Sequence, residues 1–390
     1  MTDLPMTVDD DALALDRYAR EVGLEYRAPG ALLDRDPDAI EPILGLAGVR
    51  FAQYGFLPEP YRGDLDVPAG IAEVARTCLG GVITCERFAY GDAGVMLASP
   101  GPSLSGGVIE AIADPEQYDR YWTRVAKPAT HTFFALTEPN KGSAVMELET
   151  TLRRAPGGDG WLLNGEKRYI GNGSRAPVGV VFCRRAPGPL GIEAVLVDTD
   201  APGFSATPLP MMGLRGARIS RLRFDNVHIG PSDLLGAHLK PSRRGLRGAL
   251  HILYRFRPGI AAMALGCTLA ACDYLRQQRP ALSKMDRLRL EGLLDRVFAI
   301  RRLTYQVAID VDAGDVNVAR IGAIKAQAAA IAEAATLLVA ELLGPAALVE
   351  HEWLEKVYRD VRAFELMEGT TNLHRLAVYQ GLRKNTYLPE

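Results

Sequence analysis

The spacing of apolar and polar positions divides the chain into three textures. From Asp9 to about residue 130 the pattern is mostly helical. Asp9 to Glu21 opens on three aspartates and then sets Leu13, Leu15, Tyr18 and Ala19 on one face. Acidic residues in a first turn complement the helix dipole. After a Pro- and Gly-rich passage at 55–70, residues 71–90 predict a buried helix, with Gly80 and Gly81 as a kink or close-packing point. The Ser-, Pro- and Gly-rich stretch from Ser99 to Gly106 predicts a loop.

From about 131 to 236 short β-prone runs alternate with turn residues: HTFFALT, MELETTLRR, GWLLNGEKRYI, VGVVFCRR, IEAVLVDT and ARISRLRFDNVHI. Gly157 to Gly160 and Asn164-Gly165 read as hairpin turns. Several short strands at regular spacing predict a compact β-barrel or sandwich. Helical periodicity returns over 244–275, 286–312, 316–342 and 351–382. Long helices with short connections make a bundle. The fold class is therefore α+β, mostly α, with helices over 1–130, a β domain over 131–236 and a helical bundle over 237–390.

Composition narrows the function classes. With 390 residues, 48% hydrophobic and 24% charged, the chain is globular and not mainly disordered. A net charge of −2 argues against nucleic acid as the main partner, because phosphate binding wants a basic excess. The five cysteines are scattered without a CxxC pair, which predicts reduced thiols in a cytoplasmic protein. The six histidines form no HExxH, which predicts no metal centre. The acidic N-terminus lacks the basic start and apolar core of a signal peptide. No run of about 18 apolar residues is read, so no membrane span is expected.

Three segments carry candidate chemistry. Phe134-Ala-Leu-Thr-Glu-Pro-Asn-Lys-Gly-Ser143 leaves a strand and ends in Gly142-Ser143. Small hydroxyl residues beside Gly let backbone N–H groups approach a phosphate or the edge of a heterocycle. Leu163-Asn-Gly-Glu-Lys-Arg-Tyr-Ile-Gly-Asn-Gly173 reads as a hairpin, a strand and a Gly-rich exit. In Tyr358 to Arg375, Glu368-Gly369 interrupts a helical pattern beside Phe364, Leu366 and Met367. A carboxylate at a break in an apolar run is a candidate base with a raised pKa. Alone, each segment reads more readily as a strand-end turn, a hairpin or a surface residue before a helix cap than as a site.

In this order and spacing the three segments resemble the acyl-CoA dehydrogenase family. Phe134 to Ser143 is similar to its T-E-P-x-x-G-S stretch, Gly165-Glu-Lys-Arg-Tyr-Ile to its G-x-K-x-(W/Y)-I, and Tyr358-Arg-Asp with Glu368-Gly-Thr to its Y-R-D and E-G-T. The resemblance implies N-terminal helices, a middle β-barrel, a C-terminal four-helix bundle, bound FAD, and a homodimer or homotetramer. It implies α,β-desaturation of an acyl thioester carried by CoA or a carrier protein, with an electron-transfer flavoprotein or oxygen as acceptor. By the same resemblance Glu368 abstracts the α-proton. Leu136, Thr137, Ser143, Tyr169, Ile170 and Thr370 hold the flavin, and Tyr254, Phe256, Arg257 and Gly369 face the substrate.

The sequence also departs from the family. Its R-x-x-F-G stretch corresponds to Arg276–Lys284 without Phe-Gly, and its Q-x-x-G-G to Glu341-Leu-Leu-Gly-Pro345. A carboxylate near phosphates is unfavourable and Pro345 lacks an N–H. Gly171 removes a hydroxyl near the flavin, and Ala144 replaces an Asp. These departures resemble the divergent members of polyketide and peptide biosynthesis. They keep open the reading of a flavin-poor binding protein; a flavin oxidase or monooxygenase on this fold is a further reading, and the E-G-T glutamate, Glu368, counts against the monooxygenase.

Overall fold

A computed structural model describes residues 3–63, 67–384 and 386; part of the Pro- and Gly-rich passage, 64–66, lies outside them. The helices are α1 (Asp10–Leu24), α2 (Arg27–Arg35), α3 (Glu41–Leu44), α4 (Ala47–Tyr54), α5 (Ala69–Ala75), α6 (Cys78–Ala98), α7 (Ser103–Ile112) and α8 (Pro115–Val125) before the sheet. After it come α9 (Gly245–Gln278), α10 (Lys284–Asp312), α11 (Val318–Leu343), α12 (Ala347–Glu350), α13 (Glu352–Asp360) and α14 (Thr371–Arg383). The strands are β1 (Thr132–Ala135), β2 (Thr151–Arg154), β3 (Trp161–Ile170), β4 (Val178–Arg184), β5 (Ile192–Asp198), β6 (Phe204–Pro208), β7 (Ser220–Ile229) and β8 (Leu234–Leu235).

The strands form one sheet in the order β6-β7-β3-β2-β4-β5-β8, with β1 pairing parallel to β4. Phe133, Leu152, Leu163, Val181, Leu222 and Leu234, from six strands, share one core, so the sheet wraps around its own interior. On the other face Val180, Phe182, Ala194 and Leu196 pack against Val108, Trp122 and Leu246 from α7, α8 and α9. That is why Val180 to Cys183 are all buried: with both faces covered, a strand loses its apolar–polar alternation.

Asn164-Gly165 is not a hairpin turn. It is a bulge inside β3, where the register to β7 shifts. Asn164 accepts from the Asn226 N–H and donates to the Asn226 side chain, so the strand continues. Gly165 has φ +143°, and an added Cβ would lie 2.7 Å from the Thr150 Cα. That position takes glycine.

The helix expected over 71–90 is two helices. It breaks after Ala75, and α6 runs on to Ala98. Gly80 is a close-packing point, since its Cβ would meet the Val74 carbonyl oxygen, whereas Gly81 faces open space. The interruption falls at Asp92 (φ −164°, ψ 117°). There the carboxylate accepts the Val95 N–H and pairs with Lys356 at 2.6 Å. The expected loop is also shorter, because α7 begins at Ser103. The last helical pattern is split as α13, a 3-10 turn over Val361–Glu365, and α14.

Pro241–Gln278 and Val318–Leu343 are long and apolar enough, by length and composition, to cross a membrane, which corrects the reading that no such stretch exists. The apolar window of the first is 89% buried inside the chain and that of the second 50%. They are core helices here: α9 packs on both α6 and α11, and Leu265, Leu269, Ile324 and Ala328 share one core.

Candidate active site

The strand exits bring the first two segments together. Arg168 N–H donates to the Thr137 carbonyl at 2.9 Å, which ties the end of β1 to β3. Behind this contact Lys167 and Glu138 form a buried ion pair at 2.8 Å, and the Lys167 ammonium also reaches the Leu136 carbonyl at 3.0 Å. Glu138 in turn accepts the N–H groups of Glu149 and Thr150. Burial pulls the Glu138 carboxyl upward, but Lys167 and these donors overcome it and hold it below the ordinary value. Burial lowers the Lys167 pKa against the pull of Glu138. Both residues lie inside the first two segments, and the signal for them is a pair of opposite charges, one just past the run HTFFALT and one within GWLLNGEKRYI.

In the same two segments Leu136 and Ile170 are buried, and Ser143 is exposed. Tyr169 is 55% exposed and holds a left-handed φ of +62°, a conformation a bulky residue adopts only when its surroundings impose it. The Arg168 guanidinium lies 5.3 Å from the Tyr169 ring, and its Nε is buried without a partner among the described residues. An added Cβ on Gly142 meets nothing, and one on Gly171 meets only Ile219 at 3.9 Å. An exposed aromatic face, hydroxyls at Thr137 and Ser143, an orphaned N–H and open backbone at two glycines fit a flat, polar, phosphate-bearing group such as FAD.

The third segment is held from three sides. Arg257 Nε on α9 donates to the Glu368 carbonyl at 3.0 Å, and its guanidinium lies 5.4 Å from the Tyr254 ring. Lys325 on α11 donates to the carbonyls of Gly369 at 2.6 Å and Glu365 at 3.0 Å. The Glu365 carboxylate accepts the Thr371 N–H and hydroxyl, and the Thr370 hydroxyl caps α14. Glu368 and Gly369 adopt left-handed φ values of +52° and +101°. Among the described residues no hydrogen bond engages the Glu368 carboxylate, nor the N–H groups of Glu368 and Gly369. Burial raises the Glu368 carboxyl above its ordinary value, opposed by Arg257 and then Lys325.

The structure thus gathers Glu368, Gly369, Arg257 and Tyr254. Phe256 is 39% exposed and lies beside Gly107 of α7. Thr370 joins the turn as a helix cap. The two halves of the site are joined through the loop between β6 and β7. Asn172 N–H donates to the Ala217 carbonyl. Leu214 N–H donates to Asp360, which pairs with Lys356. The Y-R-D segment therefore acts as a fastener: Asp360 holds this loop, and Arg359 clamps Asp34 on α2 with two hydrogen bonds.

At the far end of the bundle Arg289 forms a two-pronged pair with Glu341 at 2.9 and 2.7 Å. The carboxylate expected to stand unfavourably near phosphates thus carries its own counter-charge. Arg276 pairs with Asp273, and Arg279 donates to the Leu342 carbonyl.

The family model described as acyl-CoA dehydrogenase, middle domain, matches residues 133–227, and that of the acyl-CoA dehydrogenase C-terminal domain matches 243–382. The chain is 31% identical over 314 residues to the 3-(aryl)acrylate reductase of Clostridium sporogenes, covering 76% of this chain and 80% of that protein. It is 30% identical over 328 residues to the human mitochondrial short-chain specific acyl-CoA dehydrogenase, covering 80% and 78%. Its fold matches the FAD complex of PigA with a TM-score of 0.84 at 17% identity, over 98% of this chain and 100% of that one. With the helix–sheet–helix order and the E-G-T turn in place, the chain belongs to the acyl-CoA dehydrogenase family of oxidoreductases.

Proposed function

We propose that this protein is an FAD-dependent oxidoreductase that interconverts an acyl thioester and its α,β-unsaturated form, with Glu368 moving the α-proton. The observation that carries this reading is the Glu368 turn: a carboxylate with no hydrogen-bond partner among the described residues, on a left-handed break, with its own carbonyl tied back by Arg257. A base must be free to take its proton. The Glu368 and Gly369 N–H groups, also free among the described residues, suit the thioester carbonyl, where negative charge develops as the α-proton leaves. FAD, when bound, supplies acceptance of the β-hydrogen as hydride. Leu136, Thr137, Ser143, Tyr169, Ile170 and Thr370 would hold it, with Tyr254 and Arg257 bounding the acyl side.

The raised pKa of Glu368 makes it a stronger base but a smaller ionised fraction, so thioester binding must favour the ionised form. The same carboxyl returns a proton to the α-carbon in the reverse direction, the direction that the name of the Clostridium sporogenes relative describes. The carrier, CoA or a carrier protein, and the electron partner, an electron-transfer flavoprotein or oxygen, follow the family, as do a cytoplasmic setting and a homodimeric or homotetrameric assembly. The experiment is an anaerobic titration of the FAD-loaded protein with short-chain acyl-CoA and acyl-carrier thioesters, followed by flavin absorbance. Bleaching is expected, and Glu368→Gln is expected to slow it by about 10²–10⁴-fold. Unchanged bleaching in Glu368→Gln would remove the base assignment.

A further inference from the structure

Lys325 is a lysine in the middle of an apolar helix. It is 1% exposed and sits between Ile321, Ile324 and Ala328 of the bundle core. A buried ammonium is costly unless it is fully hydrogen-bonded. Lys325 finds its acceptors not on a carboxylate but on two main-chain carbonyls of the turn that carries Glu368: Gly369 at 2.6 Å and Glu365 at 3.0 Å. One helical turn earlier Gly322 lets α14 come close, for an added Cβ would lie 3.2 Å from the His374 carbonyl oxygen. The helix is thus shaped to put this ammonium under the turn.

We propose that Lys325 is the positioning residue for Glu368, clamping the turn by both its ends so that the carboxylate and the free N–H groups point at one thioester. The inference rests on the catalytic reading given for Glu368. With Arg257 on the Glu368 carbonyl, cations bind the carbonyls of residues 365, 368 and 369. A cation on a peptide oxygen polarises that peptide, so the N–H on its other side becomes a stronger donor. Arg257 does this for the Gly369 N–H, and Lys325 does it for the Thr370 N–H.

The charges around Glu368 are few. Arg257 faces it from α9, Lys325 from α11, Glu365 from the 3-10 turn, and the neutral His374 from α14. Lys356 and Asp360 of α13 are engaged with Asp92. Removing Lys325 therefore removes one of the two cations that favour the ionised Glu368. Burial has brought the Lys325 pKa down to about 8, so the clamp weakens as pH rises through that value. The alkaline limit of proton transfer then belongs to Lys325, and its acid limit to Glu368.

The test uses FAD-loaded protein with ¹³C-labelled glutamate carboxyls, the Glu368 signal being the one lost in Glu368→Gln. Its midpoint is titrated by NMR in the wild type, Lys325→Met and Lys325→Arg. In parallel the exchange of the α-hydrogens of butyryl-CoA in D₂O is followed against pH. In Lys325→Met the Glu368 midpoint is expected to rise by about one pH unit, and the exchange rate at saturation to fall about tenfold or more with KM little changed. Lys325→Arg restores the midpoint and extends the alkaline side beyond pH 8. Lys325→Gln, which keeps a donor, replaces Lys325→Met if circular dichroism shows the latter unfolded. Equal Glu368 midpoints in all three proteins, or an unchanged alkaline side in Lys325→Arg, overturn the inference. If the wild type exchanges no α-hydrogen, the catalytic reading fails, while the Glu368 midpoints still decide the role of Lys325.

Discussion

At the scale of single residues the chain keeps several ionisable side chains in forms that water would not favour. His131 and His374 are both buried, and burial pushes each pKa from 6.5 down to about 4. His131 keeps one ring nitrogen on the Ala98 carbonyl. His374 Nε2 is buried without a partner among the described residues. Both are thus neutral in the folded state at a pH where the unfolded chain has begun to take protons. A group with a depressed folded pKa contributes stability that is complete above the unfolded value and lost as pH falls towards the folded one. Urea unfolding at stepped pH should therefore show stability declining from about 6.5 to about 4, and His131→Asn should flatten that slope. An unchanged slope would mean His131 is protonated in the native state. At this scale Glu368 was legible because a carboxylate at a helix break is a local signal. Lys325 was not, because a lysine among alanines and isoleucines gives no local hint of the carbonyls it meets 40 and 44 positions later. Phe256 is a case of another kind: the resemblance sets it on the acyl side, and α9 places it beside Gly107 of α7.

At the scale of elements, charges placed inside the fold decide where helices stop and which loops they hold. Asp92, Lys356 and Asp360 are 3, 5 and 2% exposed. The Lys356 ammonium lies 2.6 Å from both carboxylates, and their charges lift its pKa far above the ordinary value against the effect of burial. This group interrupts α6 at Asp92, fixes α13 beside it, and through Asp360 holds the loop that joins the two halves of the site. Breaking a buried ionic group by removing one member leaves uncompensated charge and costs about 3–5 kcal/mol. Lys356→Met should destabilise by that order in chemical unfolding. It should also weaken FAD binding, because the freed loop no longer supports Asn172. A variant as stable as the wild type would show that the carboxylates take up protons at no cost. The same logic separates what patterning could and could not reveal. Periodicity found α9, α10 and α11 because their apolar stripes are local. It misread Asn164-Gly165 because a turn dipeptide and a bulge differ only in what lies across the sheet, here Asn226. It passed over β6 and β8, which are short edge strands.

At the scale of the whole molecule, the order of helices, sheet and helices could be read from the chain, whereas its interlocking could not, because the contacts that fasten it join distant positions. Arg359 meets Asp34 across 325 residues, and Arg301 meets Glu86 across 215. Helix α6 lies in two cores at once: Ala89 and Ala93 face the C-terminal bundle, and Val82, Ile83 and Phe88 face the N-terminal helices. The outer face of β4 and β5 shares a third core with α7, α8 and α9, so α9 touches the sheet and the bundle together. A chain of this length would ordinarily be expected to unfold in stages. The shared helices argue for one step, since α6 or α9 cannot leave without opening two cores. The three tryptophans report on the parts separately: Trp122 lies in the core between helices and sheet, Trp161 in the sheet interior, and Trp353 on α13 against the bundle. Single-tryptophan variants that keep each in turn, with Phe at the other two positions, should lose their fluorescence signals at one common urea concentration, coincident with far-UV circular dichroism. An early transition for the Trp161 reporter alone would show that the sheet is an independent unit, docked on the helices through β4 and β5 and not folded with them.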